Sequence, residues 1–511
     1  MAVGERVEFG RLRDGQCESR HVQELMSDPQ GVGVDRVGNG DHRALRGNDL
    51  AEFRTTHYRA KWQRRSGAKI RRSGRIGGTK FNKYAGASHR DGVFGPGTGD
   101  APLDDMRLAT AEKPPNSHEP PADVQAVHGE VRPGYEAIRE AFADNFTKRG
   151  ELGAACCIYH RGEKVVDLWG GIRNKDTCEP WERDTMVLVY SATKGLSAMV
   201  MALAHSRGWL DYEECVCRYW PEFAQQGKQR ITVRQLLSHQ AGLYALSEPL
   251  DRALVADLDR LALVLARQRP AWKPGTRQAY HAITLGFYEG ELLRRVDRQH
   301  RSLGQFFQDE IASPLGLDLF IRLPETIPNS RLATLARPTI IEMLRGFGPR
   351  FMLEAMNPRS NINRALRGSE LAHDETRIYA RNLEIPSGGG VGTARAIAGA
   401  YSVFATGGRE LGLRSATLDL LAAPAAAPKR GFHDECMKSD DVQFSLGFMK
   451  STPGWPFGDA SSYGAPGSGG ALGFADPKAG IGYAYVTSQM GTTLTGDPRD
   501  VALRNSLYAV I

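Results

Sequence analysis

Ser191-Ala192-Thr193-Lys194 sets a hydroxyl and an amine three residues apart. On the first turn of a helix, residues i and i+3 share a face, so the lysine nitrogen can reach the serine oxygen. A helix N-terminus also presents unbonded N–H groups that favour negative charge developing nearby. Burial there pulls a lysine towards its neutral form, which is a base. The chemistry such a pair supports is acyl transfer through an activated serine. The tetrapeptide by itself is common, and Ser66-Gly67-Ala68-Lys69 repeats it. Setting separates the two. Ser191 follows a short apolar approach over residues 184–190 and precedes GLSAMVMALAHSR (195–207), whose small and apolar residues read as a buried helix. Ser66 lies in an Arg/Gly-rich stretch with neither.

The elements that would position Ser191 are legible on both sides of it. Residues 135–150 (YEAIREAFADNFTKRG) repeat apolar positions at helical spacing, and residues 154–168 (AACCIYHRGEKVVDL) read as two strands about a turn at Arg161 and Gly162. Helical patterns then dominate to about residue 310, in ITVRQLLSHQ, DLDRLALVLARQR, TLGFYEGELLRRVD and LGQFFQDEIAS. Strand-like alternation returns over residues 444–490, and DPRDVALRNSLYAVI closes the chain as a helix. A sheet built from both chain ends around an inserted helical region is the expected architecture.

Composition bounds the rest. Of the 511 residues 41% are hydrophobic and 24% charged, values of a soluble globular chain and not of a disordered or fibrous one. No run of eighteen apolar residues is present, and the first thirty residues lack the apolar core of a secretory signal. A cytoplasmic location is the default expectation. The seven cysteines include no CxxC pair, which fits reduced thiols better than a disulfide framework. Of the net charge of +7, most comes from residues 1–120, with 21 Lys+Arg against 16 Asp+Glu, and residues 54–90 hold twelve basic residues and no acidic one. Residues 1–125, rich in Gly, Arg and Pro, read as a disordered extension, with an arm for anionic polymer or lipid as the alternative. Specific nucleic-acid recognition has no motif behind it. HExxH, P-loop and dinucleotide fingerprints are absent, so neither metal nor cofactor is implied, and the missing G-x-S-x-G argues against an α/β-hydrolase.

Further pieces fall in order downstream of Ser191. They are ITVRQLLSHQAGL (231–243), WKPGTRQAYHAITLGFYEGELL (272–293), PSGGGVGTARAIAGAYSVFATGG (386–408) and YGAPGSGGALGFADPKAGIGYAYV (463–486). With the S-x-x-K tetrapeptide they resemble, over about 380 residues, the β-lactamase-like serine hydrolases. That superfamily spans class C β-lactamases, D-Ala-D-Ala peptidases and the family VIII carboxylesterases. The resemblance implies an α+β or α/β fold of the β-lactamase/transpeptidase type. Its antiparallel sheet would be flanked by helices, with residues of about 195–400 inserted and 130–511 as the catalytic domain. It implies Ser191 as nucleophile, Lys194 and Tyr280 as the groups that move protons, and the backbone N–H groups of Ser191 and Ser468 as the oxyanion hole. Gly467, Gly469 and Gly470 would bring backbone close to a ligand. His239 in LLSHQAGL is expected to fix a loop.

Two departures bear on substrate. Where β-lactamases and peptidases carry a lysine in the K-T-G triad, this chain has Ala465-Pro466-Gly467, so no cation stands ready for a substrate carboxylate. The Y-x-N position reads Tyr280-His281-Ala282, which removes an amide and leaves His281 either as a hydrogen-bonding group at the substrate or in an ordinary structural role. Both point to an esterase acting on small-molecule esters. A β-lactamase or D-amino-acid peptidase of the same fold is one alternative, and a non-catalytic binding protein that retains the fold is another.

Overall fold

The computed structural model describes residues 127–374, 377–493 and 496–511. The expectations for residues 1–125, Ser66 among them, lie outside the described residues. Eight strands form the main path of the sheet. The front of the described chain gives β1 (Val127–Val131), β2 (Gly153–His160) and β3 (Glu163–Asn174). The end of the chain gives β4 (Phe444–Ser445), β5 (Phe448–Lys450), β6 (Tyr463–Pro466), β7 (Leu472–Asp476) and β8 (Ile481–Thr487). Their order is β1-β3-β2-β8-β7-β6-β5-β4, with each neighbouring pair antiparallel and a short strand Glu179–Pro180 added on β3. The two chain ends therefore meet at the β2–β8 pair, where Cys157 lies opposite Ala484. The β2–β3 hairpin turns at Arg161 (φ 53°) and Gly162 (φ 84°), two left-handed residues in succession, as a tight turn matching strand twist requires.

Six helical segments matter to the site: α1 (Glu136–Lys148), α2 (Thr193–Ser206), α3 (Thr284–Val296), α4 (Ile340–Met356, broken into two pieces at Gly348, φ 77°), α5 (Ala394–Ala405) and α6 (Pro498–Tyr508). Strand alternation sends neighbouring residues to opposite layers. Cys156, Ile158, Tyr483 and Tyr485 face Ile138 and Phe142 of α1 and Leu503 and Leu507 of α6. Cys157, Ala484 and Val486 face the other core, which contains α2 and α5. On that face α5 rests directly on glycine. A Cβ at Gly473 would stand 2.5 Å from the Tyr401 ring, and one at Gly482 would stand 2.3 Å from Ser402 N.

The chain between β3 and β4 carries α2 to α5, several shorter helices and two small sheets. One of these sheets is functional in position, because Val187–Leu188 pairs with Val391–Gly392 and so ties the approach to Ser191 to the glycine run after Pro386. At the far end, Arg499 of α6 bonds Glu151 (3.0 Å) and Asp497 (2.7 Å), all three buried, and its guanidinium also donates to Gly469 O (3.4 Å). A Cβ on Gly470 would lie 2.7 Å from the Asp497 carboxylate. The loop after β6 is thus propped from behind by a buried ion network. Among the described residues no helix is long and apolar enough to cross a membrane.

Candidate active site

Ser191 sits in the single 3₁₀ turn Tyr190–Ala192, which runs straight into α2. The residue before it, Tyr190, is held at φ 45°, a left-handed conformation that costs a bulky side chain energy. Its surroundings impose that conformation. Thr193 Oγ donates to Tyr190 O and accepts from Gly390 N (2.8 Å), while the Tyr190 hydroxyl bonds His373 (3.0 Å). The sequence-based placement at a helix start is therefore met one turn early.

Lys194, on the first turn of α2, is 4% exposed. Its Nζ donates to Ala282 O at 2.6 Å and to Ser387 O at 2.8 Å, and stands 3.3 Å from Ser191 Oγ. Burial pulls its pKa down to about 7, with the Glu289 carboxylate opposing that fall. Nζ also lies 4.8 Å from the centre of the Tyr280 ring. Tyr280 stacks on Phe444 (5.6 Å between centroids, 16° between planes). Burial pushes its phenol well above the usual range, and a hydrogen bond with the Ser191 side chain works against that rise. Ser191, Lys194 and Tyr280 thus form one contiguous group.

The loop after β6 faces the same turn. A Cβ at Gly467 would meet Val189 O at 2.1 Å and Ala192 N at 3.3 Å, so only glycine allows β6 this close to the Ser191 turn. Gly467 N–H goes to Ala471 O (2.7 Å), and Ala192 N–H to Val189 O (3.1 Å). Among the described residues, no acceptor is recorded for the N–H of Ser191 or of Ser468. Gly469, at φ 91°, lies under Met490, whose Cγ would be 3.0 Å from a Cβ there.

His281 requires a correction. It is fully buried, and both ring nitrogens are committed, Nδ1 to His239 Nδ1 (2.9 Å) and Nε2 as acceptor from Leu243 N–H (3.0 Å). Because His239 Nδ1 also accepts from the His281 backbone N–H (2.9 Å), the His281 ring is the donor in the pair. Burial holds the His281 pKa down, to about 3, and that of His239 well below its usual value, so the pair is neutral. His281 braces the 239–243 loop from inside and does not reach a substrate. His239, with φ 59°, is part of the same brace. Ala282 is buried and contributes its carbonyl to Lys194, and Ala465 is buried with its methyl 3.3 Å from a Cβ at Gly195.

Two participants escaped the sequence reading. Ser387 acts through its carbonyl, and every residue has one, so only the three-dimensional path of the PSGGG run reveals it. Glu289 did leave a signal. It falls on the apolar stripe of α3, four residues after Leu285 and three before Leu292, where a carboxylate is out of place.

A profile of the beta-lactamase family matches residues 138–506. The chain is 31% identical over 380 residues to Esterase/beta-lactamase LipL of Mycobacterium tuberculosis, covering 73% of this chain and 86% of that protein. Esterase EstB of Burkholderia gladioli is 24% identical over 408 residues, covering 72% and 93% respectively. Among solved structures, a family VIII carboxylesterase superposes with a TM-score of 0.64 at 34% identity, over 76% of this chain and 100% of that one. With a fold of this topology and matches of this extent, the chain belongs to the beta-lactamase family.

Proposed function

We propose that the chain is a serine ester hydrolase that works through an acyl-serine intermediate, with Ser191 as nucleophile and Lys194 as the base that activates it. The observation that carries this reading is the set of acceptors around Lys194 Nζ. A neutral amine has two N–H bonds and one lone pair. Two carbonyls, Ala282 O and Ser387 O, take the two N–H bonds, which turns the lone pair towards the Ser191 hydroxyl 3.3 Å away. With its pKa drawn down to about 7, about half of the amine is free at neutral pH.

In this mechanism Ser191 Oγ attacks the ester carbonyl as its proton passes to Lys194. The N–H groups of Ser191 and Ser468, unclaimed among the described residues, hold the oxyanion. Tyr280, kept protonated by its raised pKa, relays a proton from Lys194 to the leaving alkoxide. Water then enters, gives its proton back along the same path and releases the acid. Likeness to LipL, EstB and the family VIII carboxylesterase favours an ester. So does Ala465, a methyl packed towards Gly195 where a carboxylate-binding cation would stand in a peptidase.

A fluorophosphonate probe tests the nucleophile: the wild-type chain takes up label and Ser191→Ala does not, and label on the variant refutes the assignment. Hydrolysis of short p-nitrophenyl esters tests the substrate class. The double name of LipL favours β-lactam hydrolysis as a second reading. Faster turnover of a chromogenic cephalosporin than of the esters would make it the first.

A further inference from the structure

Tyr190 bears a strain that the proton chemistry does not explain. At φ 45° a glycine would sit at ease, yet a tyrosine stands there, immediately before the nucleophile. The side chain packs against the core and still remains partly exposed, so filling space is not its whole use. Its far end is tethered. The hydroxyl stands 3.0 Å from His373 Nε2 and 3.9 Å from Met490 Sδ.

Both partners are themselves held. His373 pairs with Tyr379 in a two-stranded ribbon and its carbonyl accepts from the Arg252 guanidinium, while Met490 N–H donates to Ala336 O (3.0 Å). Met490 in turn lies on Gly469, next to the Ser468 N–H assigned to the oxyanion. Tyr190, His373 and Met490 therefore make a bar that starts at the nucleophile, is anchored at its far end, and runs on to the loop after β6.

Only one part of an ester is left to meet this bar. The oxyanion is taken by the two backbone N–H groups, and the leaving alkoxide by Tyr280. Around Tyr280 stand Phe444, His239 and Lys194, whereas His373 and Met490 stand around the Tyr190 hydroxyl. Among the described residues these two sets share no side chain, and the Ser191 turn joins them. The acyl group takes the side that Tyr280 does not serve.

We propose that Tyr190 is a specificity-determining residue, whose ring, tied to His373 and backed by Met490, closes the acyl side of the site and limits the chain it admits. This rests on the roles given to Ser191 and Tyr280 above. A long acyl chain has to displace the ring and break its hydrogen bond to His373, and a short one does not.

The test compares kcat/KM for p-nitrophenyl octanoate and p-nitrophenyl acetate, which share a leaving group, in wild type, Tyr190→Gly and His373→Phe. Glycine accepts φ 45° without strain, and the second variant guards against a first that fails to fold. Tyr190→Gly should raise the octanoate-to-acetate ratio about tenfold, and His373→Phe, which frees the hydroxyl but keeps the ring, about threefold. A tyrosine that only shaped the backbone before Ser191 would, when replaced, change both rates together and leave the ratio where it was. An unchanged or lower ratio in the folded variants overturns the proposal. So does a change confined to a series of acetates of longer alcohols, which would set the bar on the alcohol side. Absence of Ser191-dependent hydrolysis of either ester by wild type would instead overturn the hydrolase reading beneath it.

Discussion

Among the described residues three lysines are buried, and only one of them, Lys194, reaches a serine hydroxyl. Lys228 is 0% exposed and donates to three backbone carbonyls, Gln225 O (3.1 Å), Ala266 O (2.7 Å) and Gln268 O (2.9 Å). Lys450, 1% exposed, does the same with Leu421 O (2.9 Å), Ala422 O (3.2 Å) and Ser461 O (2.9 Å). Each also lies over an aromatic ring, Phe223 at 5.0 Å and Tyr463 at 5.4 Å. Burial lowers the pKa of both to about 8, close to the value of about 7 at Lys194. Burial, an aromatic face and a depressed pKa are therefore common to all three. What differs is the acceptor set. Three carbonyls demand three N–H bonds and hold an ammonium, whereas two carbonyls and a hydroxyl suit a neutral amine whose lone pair has somewhere to go. A reactive lysine is marked here by the acceptor it lacks.

The comparison breaks most readily at Lys194 itself. Lys194→Met should cut kcat/KM for an ester by about three to four powers of ten, because the serine loses its base while the oxyanion donors stay. Steady-state hydrolysis by the folded variant measures this. A loss below tenfold would mean that the third acceptor is not what distinguishes Lys194. Tyr280→Phe removes only the relay and should cost about one to two powers of ten, chiefly in kcat.

How much of this was legible beforehand follows from what a side chain reveals. The sheet from both chain ends, the hairpin at Arg161–Gly162 and the buried helix behind Ser191 came from alternation, turn residues and helical periodicity, which are properties of neighbours in sequence. Ser191 and Lys194 came from their spacing and the helix behind them, Tyr280 and the roles of all three from resemblance, and the structure brings the three together. His281 was left open between a substrate contact and a structural role because sequence shows the imidazole and not its partners. Its two nitrogens are spent on His239 and Leu243 before any substrate arrives. Carbonyl acceptors are invisible at that level, so nothing in the sequence separates Lys194 from Lys228 and Lys450 except the serine three residues before it.

A smaller effect sharpens the contrast through pH. Reaction requires the neutral amine, whose fraction grows as pH rises through about 7. The rate kcat/KM should therefore fall about tenfold per unit well below that point and level off above it. No descending limb is expected in the neutral range, because Tyr280 stays protonated and the His239–His281 pair stays neutral. A bell centred near neutrality would require a second titrating group and a different proton path.

The smallest effect on rate, and the most discriminating, belongs to the other two lysines. Lys228→Met and Lys450→Met each leave three carbonyls without their donor, at Gln225, Ala266 and Gln268 or at Leu421, Ala422 and Ser461. Orphaned buried acceptors should cost about 2–4 kcal/mol of stability, read as a lower urea midpoint. At a temperature where both variants remain folded, their kcat/KM should stay within about twofold of wild type and the pH limb should not move. Neither lysine has a hydroxyl to deprotonate, so loss of its amine removes support and no chemistry. If either variant instead lost activity as steeply as Lys194→Met while keeping its fold, a depressed pKa and burial would be sufficient for function, and the missing third carbonyl would be incidental.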